Sequence, residues 1–215
     1  MFFKHYSISF TLLIILFFIF LKNKNTVHLY KAIFFLITLN LFIFNSYLLL
    51  TNTFNPKIHL PLHLCYLTQI GIFLSFFFKN NLLYSWLLLN SLGGGLTGFL
   101  NTNLDNNAMP IEYLYLHLSH FNLLLFVIFL YKRKFHIRKS EYIISMFFNA
   151  VIFFLIMFYN RIFDSNYWFT RTKPPGINLT TILPDWPYYL IILIIIGINS
   201  YYFTYKMFSK KTSKQ

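Results

Sequence analysis

Between Ala32 and Leu50 the chain reads AIFFLITLNLFIFNSYLLL, without a single charge. A bilayer's hydrocarbon core is about 30 Å thick and needs roughly 20 apolar residues per helix, so this stretch predicts a membrane-spanning helix. Six further runs repeat the pattern, separated by Asn, Lys and Pro: Ile8 to Leu21, Pro61 to Phe78, Leu82 to Leu100, Tyr113 to Tyr131, Tyr142 to Tyr159 and Tyr188 to Phe208. Composition points the same way. Of 215 residues 57% are hydrophobic and 11% charged, and mean hydropathy is +0.58, more apolar surface than a soluble domain of this size can hide. The expected fold is all-α, a polytopic membrane helix bundle of about seven transmembrane helices in one domain over residues 1–215. Lys4 precedes the first run as it would in a signal peptide, but no small-residue cleavage site follows. The first run is therefore retained as a helix, and the count falls to six if it does not cross.

The net charge of +13 suits nucleic acid less well than it suits membrane topology, because the basic residues fall between apolar runs and not along one soluble face. With seven crossings, one side receives Lys22, Lys24, Lys31, Lys79, the Lys132–Lys139 stretch, Lys206 and the Lys210–Lys214 tail. The other receives only Lys4, Lys57, Arg161, Arg171 and Lys173. The positive-inside rule then predicts a multi-pass cell-membrane protein with its C-terminus cytoplasmic and its N-terminus outside.

On this map the third run enters from outside, with Pro61 suited to a first helical turn and Cys65, the chain's single cysteine, about one turn in. The fifth run enters from the same side. His117 and His120 are three residues apart on it, hence neighbours on one helical face. A lone membrane cysteine behaves as a small hydrophobe. An imidazole in lipid needs a polar cavity or a partner, which makes His63, His117 and His120 functional candidates. Cys65 and His120 could form a nucleophile and base. A metal site is less well matched, since His63 and Cys65 are two residues apart and no tight ligand spacing follows. No metal and no cofactor is expected. A transport path lined by polar residues is the third use. The fourth run carries Gly93, Gly94, Gly95 and Gly98, and Gly94 and Gly98 also fit a close-packing motif.

The longest outer connection, roughly Asn160 to Pro187, has Trp168 and Trp186 suited to the interface and prolines that forbid a long helix. Arg161, Arg171 and Lys173 are its clustered cations and candidates for holding a lipid phosphate. Asn178-Leu179-Thr180 matches a glycosylation acceptor.

Taken in order, LPLHLC at Leu60 to Cys65, LSHF at Leu118 to Phe121, Asn149 and the NYW…KPP…L…PDWPYY pattern from Asn166 to Tyr189 resemble the YwaF and transmembrane protein 164 family. The resemblance runs over about Leu60 to Phe208. It implies a multi-span protein and, by similarity to the animal branch, a cysteine-dependent acyltransferase acting on membrane phospholipids. Carried over by position, it implies that Cys65 accepts the acyl chain and His120 is the base, with His63, His117 and Asn149 as supporting polar residues. A lysophospholipid or a lipoprotein amino terminus is the expected acceptor. The expectation from a different class is a non-enzymatic transporter of a small solute or lipid.

Overall fold

In the computed structural model the described residues are 2–23, 25–104, 107–176 and 178–210. Lys24, Lys211 and Lys214, counted above with the basic side, lie outside them, as does the side chain of Lys4. Among the described residues every regular element is helical: α1 (Phe2–Lys22), α2 (Thr26–Leu50), α3 (Leu64–Ser75), α4 (Asn81–Leu100), α5 (Pro110–Lys132), α6 (Lys139–Phe163) and α7 (Tyr188–Phe208). Five of them, α1, α2, α5, α6 and α7, are long and apolar enough to cross a membrane.

The helices α4 and α5 form the centre. Helix α5 packs against α1, α2, α3 and α4, while α4 also meets α1, α3, α6 and α7. Because neighbours shelter α4, it accommodates Ser85, Asn90 and Ser91, all buried, residues that a lipid-facing helix would expose at a cost. Starts are set locally. Asn25 and Asn80 accept hydrogen bonds from the amides two and three residues on, capping α2 and α4. At α5, Pro110 opens the helix and Glu112 reaches back to the Met109 amide at 2.7 Å.

The helix directions sort the charges onto two ends. At one end lie Lys22, the α3–α4 turn, the Lys132–Lys139 turn and the end of α7. Lys132 Nζ donates to Phe20 O and the Ile137 amide to Phe208 O, joining α1, α5 and α7 there. At the other end lie the start of α1, Lys57 and the Asp164–Pro187 connection. The first is called the basic end below, the second the capped end.

Helix α3 departs from the expected third span. It covers 12 residues, about 18 Å at 1.5 Å per residue, and reaches the basic end, where Tyr84 Oη donates to Ser75 O. Pro61 does not open it; the helix begins beyond His63. The first three residues of the run, Pro61 to His63, are unwound together with Pro56 to Leu60 before them, and Leu60 to His63 are half-buried. Helices α2, α3 and α5 are fastened in the interior by Asn40 Nδ2, which donates to Gln69 Oε1 and Ser119 Oγ at 3.1 and 3.0 Å, and by Gln69 Nε2, which donates to Tyr115 Oη.

Candidate functional site

An unwound segment needs partners for its backbone where neighbouring helices exclude water. The partners come from the α6–α7 connection. Tyr167 Oη accepts from the Leu60 amide at 2.9 Å and donates to Pro56 O at 2.7 Å, and Trp168 Nε1 donates to Leu62 O at 2.7 Å. Burial pushes the Tyr167 phenol up to about 12, so it stays protonated and keeps both bonds. Asn160, fully buried, shapes the connection: its Nδ2 donates to Tyr167 O and Thr170 Oγ1, and its Oδ1 accepts from the Tyr167 amide and Ser165 Oγ. Trp168 and Phe169 both hold left-handed backbone, φ 58° and 54°, a conformation costing roughly 1–2 kcal/mol for each L-residue. Tyr189 Oη fixes the second of them through Phe169 O at 2.7 Å.

The pinned segment delivers Cys65 as the second residue of α3. His63 is the cap residue, and its side chain makes no capping bond. The amides of Leu64, Cys65 and Tyr66 accordingly meet no acceptor among the described residues. His63 itself packs against the rings of Tyr167 and Phe169, centroids 5.0 and 5.3 Å away, and so faces the connection.

Two glycines of α4 hold the rest. A Cβ at Gly94 would lie 3.4 Å from Cys65 Sγ, so the thiol rests on that glycine's bare face. One turn toward the capped end, a Cβ at Gly98 would overlap the imidazole of His120, at Nε2, Cδ2 and Cγ. His120 Nδ1 lies 2.7 Å from Leu116 O. A carbonyl only accepts, so Nδ1 carries the proton and Nε2, lying against Gly98, is the free base. Cys65 and His120 thus share one groove of α4, offset by the four residues between the glycines, a rise of roughly 6 Å. No hydrogen bond joins them. The Tyr115 and Tyr201 hydroxyls are close enough to Cys65 to interact electrostatically, and Gln69 lies one turn below it on the same face of α3.

His117 is buried one turn up α5. Its Nδ1 bonds Tyr113 O at 2.8 Å, and its ring lies 4.9 Å from that of His5. His5, at 2% exposure, has neither nitrogen hydrogen-bonded. It escapes sequence reading because it precedes the first apolar run, and Tyr115, Tyr201 and Gln69 escape it as ordinary membrane polar residues. Asn149 lies elsewhere. Its Oδ1 accepts from Trp86 Nε1 at 2.9 Å, eight residues and about 12 Å down α4 from Gly94. Of the candidate phosphate ligands, Arg171 pairs with Asp164 at 2.7 Å and Lys173 with Asp185 at 2.9 Å, so both brace the connection. Arg161 is exposed and has no ion-pair partner among the described residues. Asn178 is buried, and its amide donates to the carbonyls of Pro174, Pro175 and Gly176, a structural use of the glycosylation-like triplet. Among the described residues no three His, Cys, Asp or Glu side chains converge as metal ligands do.

The fold and site define a polytopic helical membrane protein with one broken helix, whose half-buried thiol and buried imidazole lie in a glycine groove. The TMEM164 family model matches residues 1–205, and the chain belongs to the TMEM164 family. The match takes in α1 and α2, where the resemblance described above offered no motif. Nothing among curated proteins and nothing among solved structures matches the chain significantly.

Proposed function

We propose that the chain is a membrane acyltransferase in which Cys65 carries the acyl group. The observation behind this reading is the α4 groove, where Gly94 and Gly98 receive Cys65 Sγ and a His120 ring whose free nitrogen is Nε2. Nε2 takes the thiol proton, Sγ attacks the ester carbonyl carbon of a phospholipid, and the carbon–oxygen bond breaks. The departing lysophospholipid oxygen leaves with the proton from Nε2–H. In the second half-reaction Nε2 deprotonates an acceptor hydroxyl or amine, which attacks the thioester carbonyl and displaces Sγ, and the proton on Nε2 returns to the leaving sulfur. The uncapped amides of Leu64, Cys65 and Tyr66 supply donors for the oxyanion. Substrate binding must close the offset between Sγ and Nε2, as catalytic hydrogen bonds commonly tighten in the reactive complex. The acceptor is a lysophospholipid or a lipoprotein amino terminus. The positive-inside rule makes the basic end cytoplasmic and sets the site toward the outer leaflet.

The test is intact mass spectrometry of the purified protein after incubation with phosphatidylcholine, with and without neutral hydroxylamine. A fatty-acyl increment that hydroxylamine removes and Cys65→Ala lacks is expected. Full transfer activity in Cys65→Ala overturns the mechanism. A second reading, a path for a small solute or lipid, draws on buried polar atoms without partners: both side-chain atoms of Asn122, Ser91 Oγ and Ser145 Oγ. Transport that survives Cys65→Ser would favour it.

A further inference from the structure

At the basic end the α5–α6 turn, the start of α4 and the end of α7 border an open cleft of about 680 Å³. Arg133, Lys134, Lys139 and Lys210 line it together with His136. Among the described residues none of those four cations pairs with a carboxylate. The nearby acid is already engaged, since Glu141 accepts from Ser85 Oγ and the Arg138 amide, both at 3.0 Å, and lies 3.8 Å from Arg138 Nε.

Two features separate this cleft from a belt of topology-setting charges. The first is its rigidity and its strained lysine. The turn closes α5 with bonds from the Lys134 amide to Tyr131 O and the Phe135 amide to Leu130 O, and it is tied to α7 through the Ile137 amide and Phe208 O. Lys134 occupies the left-handed position of this cap, φ 54°, where glycine is the usual residue. A cation is thus held where backbone conformation disfavours it. The second is the start of α6, a 25-residue helix whose Lys139 and Ser140 amides meet no acceptor among the described residues. Arg138 cannot accept a hydrogen bond, so only the Glu141 half of a capping box exists there. Free amides at a helix start beside convergent cations form an anion site.

We propose that this cleft binds a phosphate ester, supplied either by an anionic phospholipid headgroup or by a soluble phosphate compound. Tetrahedral phosphate oxygens suit Arg133, Lys134 and Lys139 converging with the α6 amides. The site is independent of the Cys65 groove and of the chemistry proposed for it.

The experiment uses the full chain in phosphatidylcholine nanodiscs, with inorganic pyrophosphate titrated calorimetrically as the probe. Lys134→Gly with Lys139→Gln removes two cleft cations and relieves the left-handed residue. Lys31→Gln with Lys206→Gln removes two cations from the same end outside the cleft. The cleft variant is expected to weaken binding about thirty-fold, and the control less than about three-fold. A second arm adds phosphatidylglycerol and reads retained lipid by native mass spectrometry. A headgroup occupant is retained by the wild type, lost in the cleft variant, and competes with pyrophosphate. A soluble occupant leaves pyrophosphate binding indifferent to phosphatidylglycerol. Equal weakening by both variants, or no pyrophosphate binding together with equal lipid retention, overturns the proposal.

Discussion

Gly98→Ala is the most discriminating substitution in the α4 groove. The new methyl would overlap the His120 ring, which is held by its Nδ1–H bond to Leu116 O at 2.7 Å. Rotating the ring away forfeits that bond, about 0.5–1.5 kcal/mol, and overpacking adds about 1–3 kcal/mol. Alanine's helix propensity returns about 1 kcal/mol, leaving a net loss of about 2 kcal/mol. Gly94→Ala is the matched control. Its methyl would lie 3.4 Å from Cys65 Sγ and 3.6 Å from Leu123 Cδ1, near-ordinary contact, so the propensity gain dominates. Thermal unfolding in detergent should place Gly98→Ala about 4–8 °C below wild type, at roughly 2–4 °C per kcal/mol for a chain of this size, and Gly94→Ala at or above it. If Cys65 carries the acyl group as proposed, its adduct should fall with Gly98→Ala as His120 loses its seat. Equal stability of the two variants would refute the placement of His120.

Tyr167→Phe leaves the Leu60 amide and Pro56 O without their shared partner and should cost about 1–3 kcal/mol; maleimide should then label Cys65 faster, and unchanged labelling would count against the pinning role. Trp86→Phe strips the last partner from Asn149, whose Nδ2 is already unbonded and buried. It should cost about 1–3 kcal/mol, and adding Asn149→Leu should recover part of that loss in the unfolding midpoint. Arg171 first, then Lys57, hold the Asp164 carboxyl below its usual range. A depressed folded pKa contributes stability above the unfolded value near 3.9, lost as pH falls through the folded one. The small midpoint difference between wild type and Asp164→Asn should therefore be full at neutral pH, begin to shrink as pH falls through about 4, and vanish only once pH is below the depressed folded value; a difference that does not shrink as pH falls would sink the assignment.

The helices were legible because long uncharged runs have few alternatives. Leu82 to Leu100 and Tyr188 to Phe208 match α4 and α7 almost to the residue. The third span was not, because IHLPLH reads on smoothly into the apolar run after it. What unwinds it is Tyr167 and Trp168, more than a hundred residues away, and no local pattern carries that. The spacing of Gly94 and Gly98 signalled close packing, yet what packs there is a thiol and an imidazole and not a neighbouring backbone. His120 and Cys65 were visible as polar residues sharing a depth, whereas the burial of His5 depends on where α1 docks. Arg171 and Lys173 looked like free cations because their carboxylate partners are chosen by the fold of the connection.

The bonds from Tyr167 and Trp168 to the segment before Cys65 also bear on biosynthesis. They join chain positions 106 and 107 residues apart. At about 5–20 residues per second, the ribosome needs roughly 5–20 seconds after making Cys65 before the clasp exists. The nascent chain therefore carries a thiol whose backbone support has not yet been made, and that support arrives only with the connection after α6.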